Sequence, residues 1–192
     1  MQALLYVVTL IAGLTTAAVA AVAAPETYTA DPAHTYASFE LSHLGFSTIH
    51  GRFNKTEGKV ILDRQAKSGT VDIAIATQSV DTGWPKRDTH LQSEDFFNVA
   101  QFPTIHFKSD QLQFQGEVLT TVKGELTLLG VTRPVTLTVT AFHCGEHPMA
   151  KKQACGADAT TTIKRSDFGM SKYLPALSDE VKIAVDIEAY KE

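Results

Sequence analysis

Val135-Thr136-Leu137-Thr138-Val139-Thr140 places an aliphatic side chain at every second position and a threonine between each pair. In an extended chain successive side chains leave opposite faces, so this stretch has one apolar face and one hydroxylated face. A helix would scatter the same residues around its circumference. The period of two recurs at Val71, Ile73 and Ile75, at Ile105 and Phe107, at Leu126 and Leu128, and at Ile183, Val185 and Ile187. One apolar and one polar face per segment is the pattern of antiparallel strands, with one side toward a core and the other toward water.

Weaker alternation over residues 36–41, 48–54, 58–62, 110–114 and 159–165 brings the expected total to about eight strands. Turn residues separate them, as in Asn54-Lys55-Thr56-Glu57-Gly58, Gln115-Gly116 and Gly130-Val131-Thr132-Arg133-Pro134. The alternation stops between residues 80 and 103. Pro85 suits a first helical position, and Lys86 to Leu91 fits a short helix behind it. Ser93, Glu94 and Asp95 would start a further turn carrying Phe96 and Phe97, with Pro103 ending the segment. No internal repeat or interdomain linker interrupts the chain. An all-β domain of this kind closes as a filled sandwich or as a barrel, and periodicity alone does not separate the two.

The 192 residues carry 44% hydrophobic and 20% charged side chains, with a net charge of −4. The pI near 6.0 gives no basic footprint, so nucleic acid is not an expected partner. Residues 1–24 contain no Asp, Glu, Lys or Arg, and an apolar run from Ala3 to Leu14 fades into an alanine-rich stretch. This reads as a secretory signal over residues 1–23, cut after Ala23, with one domain over 24–192. An uncleaved membrane anchor is the alternative, though no Lys or Arg stop follows it. Export is expected, with no stable membrane insertion after cleavage. In an oxidising compartment Cys144 and Cys155 are most simply a disulfide, worth about 3 kcal/mol by loop-closure entropy. The alternative is a metal site drawing on His143, Cys144, His147 and Cys155, whose spacing matches no common zinc pattern.

Several motifs occur together in a fixed order. They are Tyr28-Thr29-Ala30-Asp31-Pro32-Ala33-His34-Thr35, Phe39-Glu40-Leu41-Ser42-His43-Leu44-Gly45-Phe46, His50-Gly51-Arg52-Phe53, Arg87-Asp88-Thr89-His90-Leu91, Phe102-Pro103-Thr104-Ile105-His106-Phe107, Gly124-Glu125-Leu126-Thr127-Leu128 and Lys164-Arg165-Ser166-Asp167-Phe168-Gly169-Met170. Jointly they resemble the YceI family of exported, lipocalin-like proteins over residues 28–190. The resemblance implies an extended antiparallel eight-stranded barrel with a short helical insertion. Its elongated apolar pore would hold a polyisoprenoid chain, such as an isoprenoid quinone or a polyprenyl phosphate. The cysteine-bearing segment 143–157 is longer than the simple hairpin the resemblance implies.

A soluble barrel shields such a chain when its inner face is apolar, and each CH₂ moved out of water contributes about 0.8 kcal/mol. The face of Val135, Leu137 and Val139 has that character. The expected aromatic lining is Phe39, Phe46, Phe53, Trp84, Phe96, Phe97, Phe102, Phe107 and Phe168; an ordinary packed core is the alternative use for any one of them. His43, Arg52 and Arg165 are candidates to meet a polar head group. Structural roles compete with binding for His34, His43 and His50, and Arg165 with Asp167 and Asp179 reads as an ion-pair or turn network. No metal or cofactor is expected, and a homodimer is left open. A non-catalytic lipid carrier is the leading function. The alternatives are an envelope hydrolase, for which no Gly-x-Ser-x-Gly elbow or His-Glu-x-x-His helix is present, and a structural β-domain with a filled core.

Overall fold

Alternating side chains condense into eleven strand segments in the computed structural model, which describes residues 24–192. The signal expected over residues 1–23 lies outside the described residues. The segments are β1 (Glu26–Ala30), β2 (Tyr36–His43), β3 (Ser47–Phe53), β4 (Thr56–Asp63), β5 (Ser68–Ala76), β6 (Val80–Asp81), β7 (Thr104–Gln115), β8 (Val118–Leu128), β9 (Val131–Glu146), β10 (Gln153–Lys164) and β11 (Glu180–Lys191). One helix, α1 (Pro85–Leu91), follows β6.

Strands β1, β4, β5, β7, β8, β9, β10 and β11 pair in that order, and β11 returns to β1 with Tyr28 opposite Lys191. The result is a closed antiparallel barrel of eight strands. Closure leaves no free edge along this ring. β2 continues the line of β1 along the first half of β11, from Glu40 opposite Lys182 to Tyr36 opposite Asp186. The β2–β3 hairpin therefore extends one wall beyond the ring. Its three-residue turn, Leu44 to Phe46, has both Leu44 and Gly45 at positive φ.

Beyond β6, β3 has no further strand partner among the described residues. The insertion fills that side. Pro85 opens α1, and Asp88 Oδ1 accepts bonds from the Thr82 N–H and hydroxyl, tying the helix to its approach. The expected second helical turn is instead a run of hydrogen-bonded turns that buries Phe96 and Phe97. Phe97 meets Phe53 of β3 edge-on at 5.2 Å. The geometry is that of a favourable aromatic pair.

Three register shifts change which residues face inward. On β9 the pairing passes from Val139 with Ala159 to Ala141 with Asp158, leaving Thr140 as an extra residue. Inward positions are odd up to Val139 and even from Phe142 onward. The same device joins the two apolar stretches of β7, between Lys108 and Gln111. Residues 105–108 and 110–114, which read as separate strands in the sequence, are therefore one bulged strand. The β9 bulge also brings Cys144 opposite Cys155, and the two form a disulfide. With both sulfurs occupied by each other, the cysteine-based metal site is excluded. Segment 143–157 proves to be the end of a long regular hairpin, turning between His147 and Lys152.

Candidate functional site

A cavity of about 1040 Å³ runs inside the barrel. At the floor its wall includes Tyr28, Leu62, Cys155 and Ala189; at the opposite end it includes His43, Leu44, Trp84 and Tyr173. Its volume is at the upper end of the roughly 300–1,000 Å³ usual for small-molecule sites. The space exists because one wall is built from small side chains. Ala157, Ala159 and Thr161 are consecutive inward positions of β10, in a wall that also holds Ile73, Ile75 and Phe107 of β5 and β7. Large aliphatic residues at all of these positions would fill an eight-stranded barrel.

The expected lining divides in two. Phe39, Phe53, Trp84, Phe96, Phe97, Phe107, Val135, Leu137 and Val139 all stand in the cavity wall. Phe39 lies over Gly51 on the neighbouring strand, where any Cβ would strike its ring. The other three aromatics are placed elsewhere. Phe46 is 90% exposed in the β2–β3 turn. Phe102 packs against Gly130, and Phe168 is buried in the core behind the wall. Aromatic type alone carries no information on facing: Trp84, Phe96 and Phe97 also lie off the strands, yet they stand in the wall.

Among the three head-group candidates, His43 is half-buried in the wall near the mouth. Arg52 lies outside the wall, with its guanidinium 4.9 Å from the Tyr36 ring centre. Arg165 is in the wall but 2% exposed, and it is already engaged. Its Nε donates to the Ser178 carbonyl at 2.9 Å, Nη1 to Met170 and Lys172 at 2.8 and 2.9 Å, and Nη2 to Leu177 at 3.0 Å. Four of a guanidinium's five N–H donors are thus used. Burial pushes its pKa down, partly offset by Asp179. The expected ion-pair network is therefore a carbonyl cradle, and Asp179 instead accepts from the Ser166 N–H and hydroxyl. Those two bonds hold the Asp179 carboxyl below its usual range.

The charged residues in the wall are Lys86, Arg87 and Arg165, with His43, His50 and His90 beside them; no aspartate or glutamate lines the cavity. Arg87 donates to the Thr82 hydroxyl and carbonyl at 2.7 and 2.8 Å and lies 5.7 Å from the Trp84 ring centre. Lys86 and Arg87 were visible in the sequence only as helix surface. The Thr56 hydroxyl, on a wall residue 3% exposed, has no hydrogen-bond partner in the protein. At the floor, Tyr28 donates to Glu26 Oε2 at 2.6 Å, and Lys191 donates to Glu26 Oε1 at 2.6 Å. Burial first, then the Glu26 bond, pushes the Tyr28 phenol up to about 12. His34 is on the outside, bonded to Asp31 at 2.6 Å.

The sequence matches the YceI-like domain family over residues 28–189. It is 37% identical over 160 residues to Protein YceI of Salmonella arizonae, covering 83% of each chain. Among solved structures it is similar to the YCEI protein of Campylobacter jejuni, with 27% identity and a TM-score of 0.66 over 79% of this chain and 90% of that one. It also shares its fold with a polyisoprenoid binding domain from Saccharophagus degradans, at 17% identity and a TM-score of 0.65 over 86% of this chain and 98% of that one. The motif order, the closed barrel with its helical insertion and these matches agree: the chain belongs to the YceI-like domain family.

Proposed function

We propose that this barrel is a non-catalytic binding protein that carries or sequesters an isoprenoid lipid, either an isoprenoid quinone or a polyprenyl phosphate. The chain lies in the cavity, and the head group stays at the end framed by His43, Lys86 and Arg87. The observation that carries this reading is the cavity wall itself: apolar along the barrel and furnished with cations but no carboxylate where it opens. A continuous apolar wall suits a hydrocarbon chain, and a carboxylate-free mouth suits an acidic or oxygen-rich head. A fold relative described as a polyisoprenoid binding domain supports the same ligand class.

The periplasm is the proposed location. The disulfide supports it, since such bonds persist in oxidising compartments. No helix among the described residues is long and apolar enough to cross a membrane. The test is organic extraction of protein purified from its native host, followed by mass spectrometry. A co-purifying prenyl lipid is the expected result. Lipid-free protein that also fails to take up long-chain prenols or quinones would overturn the proposal.

A further inference from the structure

The ends of the barrel differ in what they expose. Large apolar side chains stand clear of the surface at eight described positions, and five of these, Leu44, Phe46, Trp84, Tyr173 and Leu174, belong to the three segments around the mouth. Phe46 is 90% exposed, and Trp84 and Leu44 are each 56% exposed. A monomer rarely leaves so many neighbouring apolar groups in water without a use for them.

The three segments are one structure. The Leu44 N–H donates to the Ala176 carbonyl at 2.7 Å, and His43 bridges to Leu177. Tyr173 stacks on Phe96 of the insertion at 6.0 Å, and Lys172 pairs with Asp95 at 3.2 Å. Leu44, Trp84 and Tyr173 line the cavity on their inner side while exposed on their outer side. The rim is thus an apolar collar continuous with the cavity wall.

Its charges favour a particular occupant. Lys86 and Arg87 follow Trp84 in the chain, the Arg87 guanidinium lies over its ring, and neither makes an ion pair among the described residues. Three carboxylates of the same segment are already engaged: Asp81 holds Gly83 and Asn54, Asp88 holds Thr82, and Asp95 holds Lys172 and His90. Glu94 is the exposed acid of the insertion. Aromatic side chains with cations beside them are the groups that settle at the boundary between lipid head groups and acyl chains.

We infer that this collar docks on an anionic lipid bilayer, so that the mouth opens against the surface from which an apolar cargo is drawn. The inference rests on the lipid-binding function proposed above. It adds that loading occurs at the membrane, with Phe46 and Leu174 as contacts that serve docking only, because neither stands in the cavity wall.

The chain's single tryptophan, Trp84, is the probe. Purified protein is titrated with vesicles of phosphatidylcholine containing phosphatidylglycerol, with pure phosphatidylcholine vesicles and with brominated versions of both. The expected result is a blue shift and bromine quenching of Trp84, stronger on the anionic vesicles. Phe46→Asp and Leu174→Asp should each weaken partitioning by about tenfold or more. Both variants should still take up a long-chain prenol from detergent micelles. Uptake from micelles without any vesicle response in the parent protein overturns the docking inference while leaving the binding function intact. Vesicle binding unchanged by both substitutions also overturns it. So does a Trp84 shift that depends on protein concentration alone, which would assign the collar to a second copy of the chain. No prenol uptake by the parent under any condition overturns the binding function instead.

Discussion

Replacing Arg165 by methionine keeps most of the side chain's length and apolar stem while removing every donor. Four backbone carbonyls, at Met170, Lys172, Leu177 and Ser178, then lose a charged partner. A hydrogen bond from an ionised group contributes about 1.5–3 kcal/mol net, so four such bonds set an upper bound near 6–12 kcal/mol. Two effects pull the cost well below that bound. Removing the charge also removes its desolvation penalty, which the lowered Arg165 pKa attests. Lys172 is exposed and Ser178 half-exposed, so water can reach their carbonyls, whereas Met170 is buried. A cost of about 3–4 kcal/mol is expected. With an m-value near 2 kcal/mol/M, the urea midpoint should fall by about 1.5–2 M. Arg165→Lys should recover less than half of the loss, since an ammonium cannot reproduce the planar fork. Hydrogen exchange should localise the damage to residues 166–179. A methionine variant within about 1 kcal/mol of the parent, or a lysine variant equal to it, would refute the cradle as the organising contact of this loop.

Ala159→Trp should block the lumen, because the side chain points into the cavity from the small-residue wall. Uptake of a long-chain prenol should fall at least about tenfold, with stability changed by less than roughly 1.5 kcal/mol because the indole enters empty space; unchanged uptake would remove the cavity from the mechanism. The Tyr28 phenol should ionise above the ordinary tyrosine range, near pH 12 by ultraviolet titration. Since folding favours the neutral phenol, its contribution to stability is complete below the ordinary tyrosine pKa of about 10 and is lost as pH rises through about 12. Glu26→Gln should lower that value only in part, because burial is the leading cause; a return to the ordinary value would assign the shift to Glu26 instead.

Strand positions were legible in the sequence where alternation is unbroken, as over Val135, Leu137 and Val139, because a period of two maps directly onto facing. Bulges break that mapping. Phe142 lines the cavity although it is out of phase with Val139, and nothing in the local composition marks Thr140 as the extra residue. Phe46 failed as a lining residue for a related reason. It is the last residue of a three-residue turn, where facing is set by the positive φ of Leu44 and Gly45 rather than by strand period. Arg165 reads as a ligand or ion-pair group because Asp167 and Asp179 are near it in sequence. Its partners are backbone carbonyls, which every residue carries and which no sequence pattern distinguishes. The cavity was the least visible feature. Ala159 and Thr161 read only as part of a weak strand and Ala157 as part of none, yet their missing volume separates a pore from a filled core.

The two ends of the barrel impose a direction on any cargo. The floor is closed by strand pairing between β1 and β11, by the Tyr28–Glu26–Lys191 chain of hydrogen bonds and by the Cys144–Cys155 disulfide. Opening it would break several of these together. The mouth lacks a strand beyond β6 and is covered by the insertion and by the loop gathered around Arg165. Loops of this kind open at lower free energy than paired strands, so exchange belongs at the mouth. A chain entering there should advance apolar end first, because Lys86, Arg87 and His43 stand at the mouth while the wall along the strands is mainly aliphatic and aromatic. The Tyr28 floor then limits how much chain is covered. A ligand longer than the lumen leaves its head end outside, and the Ala159→Trp variant should therefore discriminate by chain length: it should reject long prenols strongly and a two-unit prenol such as geraniol weakly. Equal losses for both would mean that the chain does not reach the middle of the barrel.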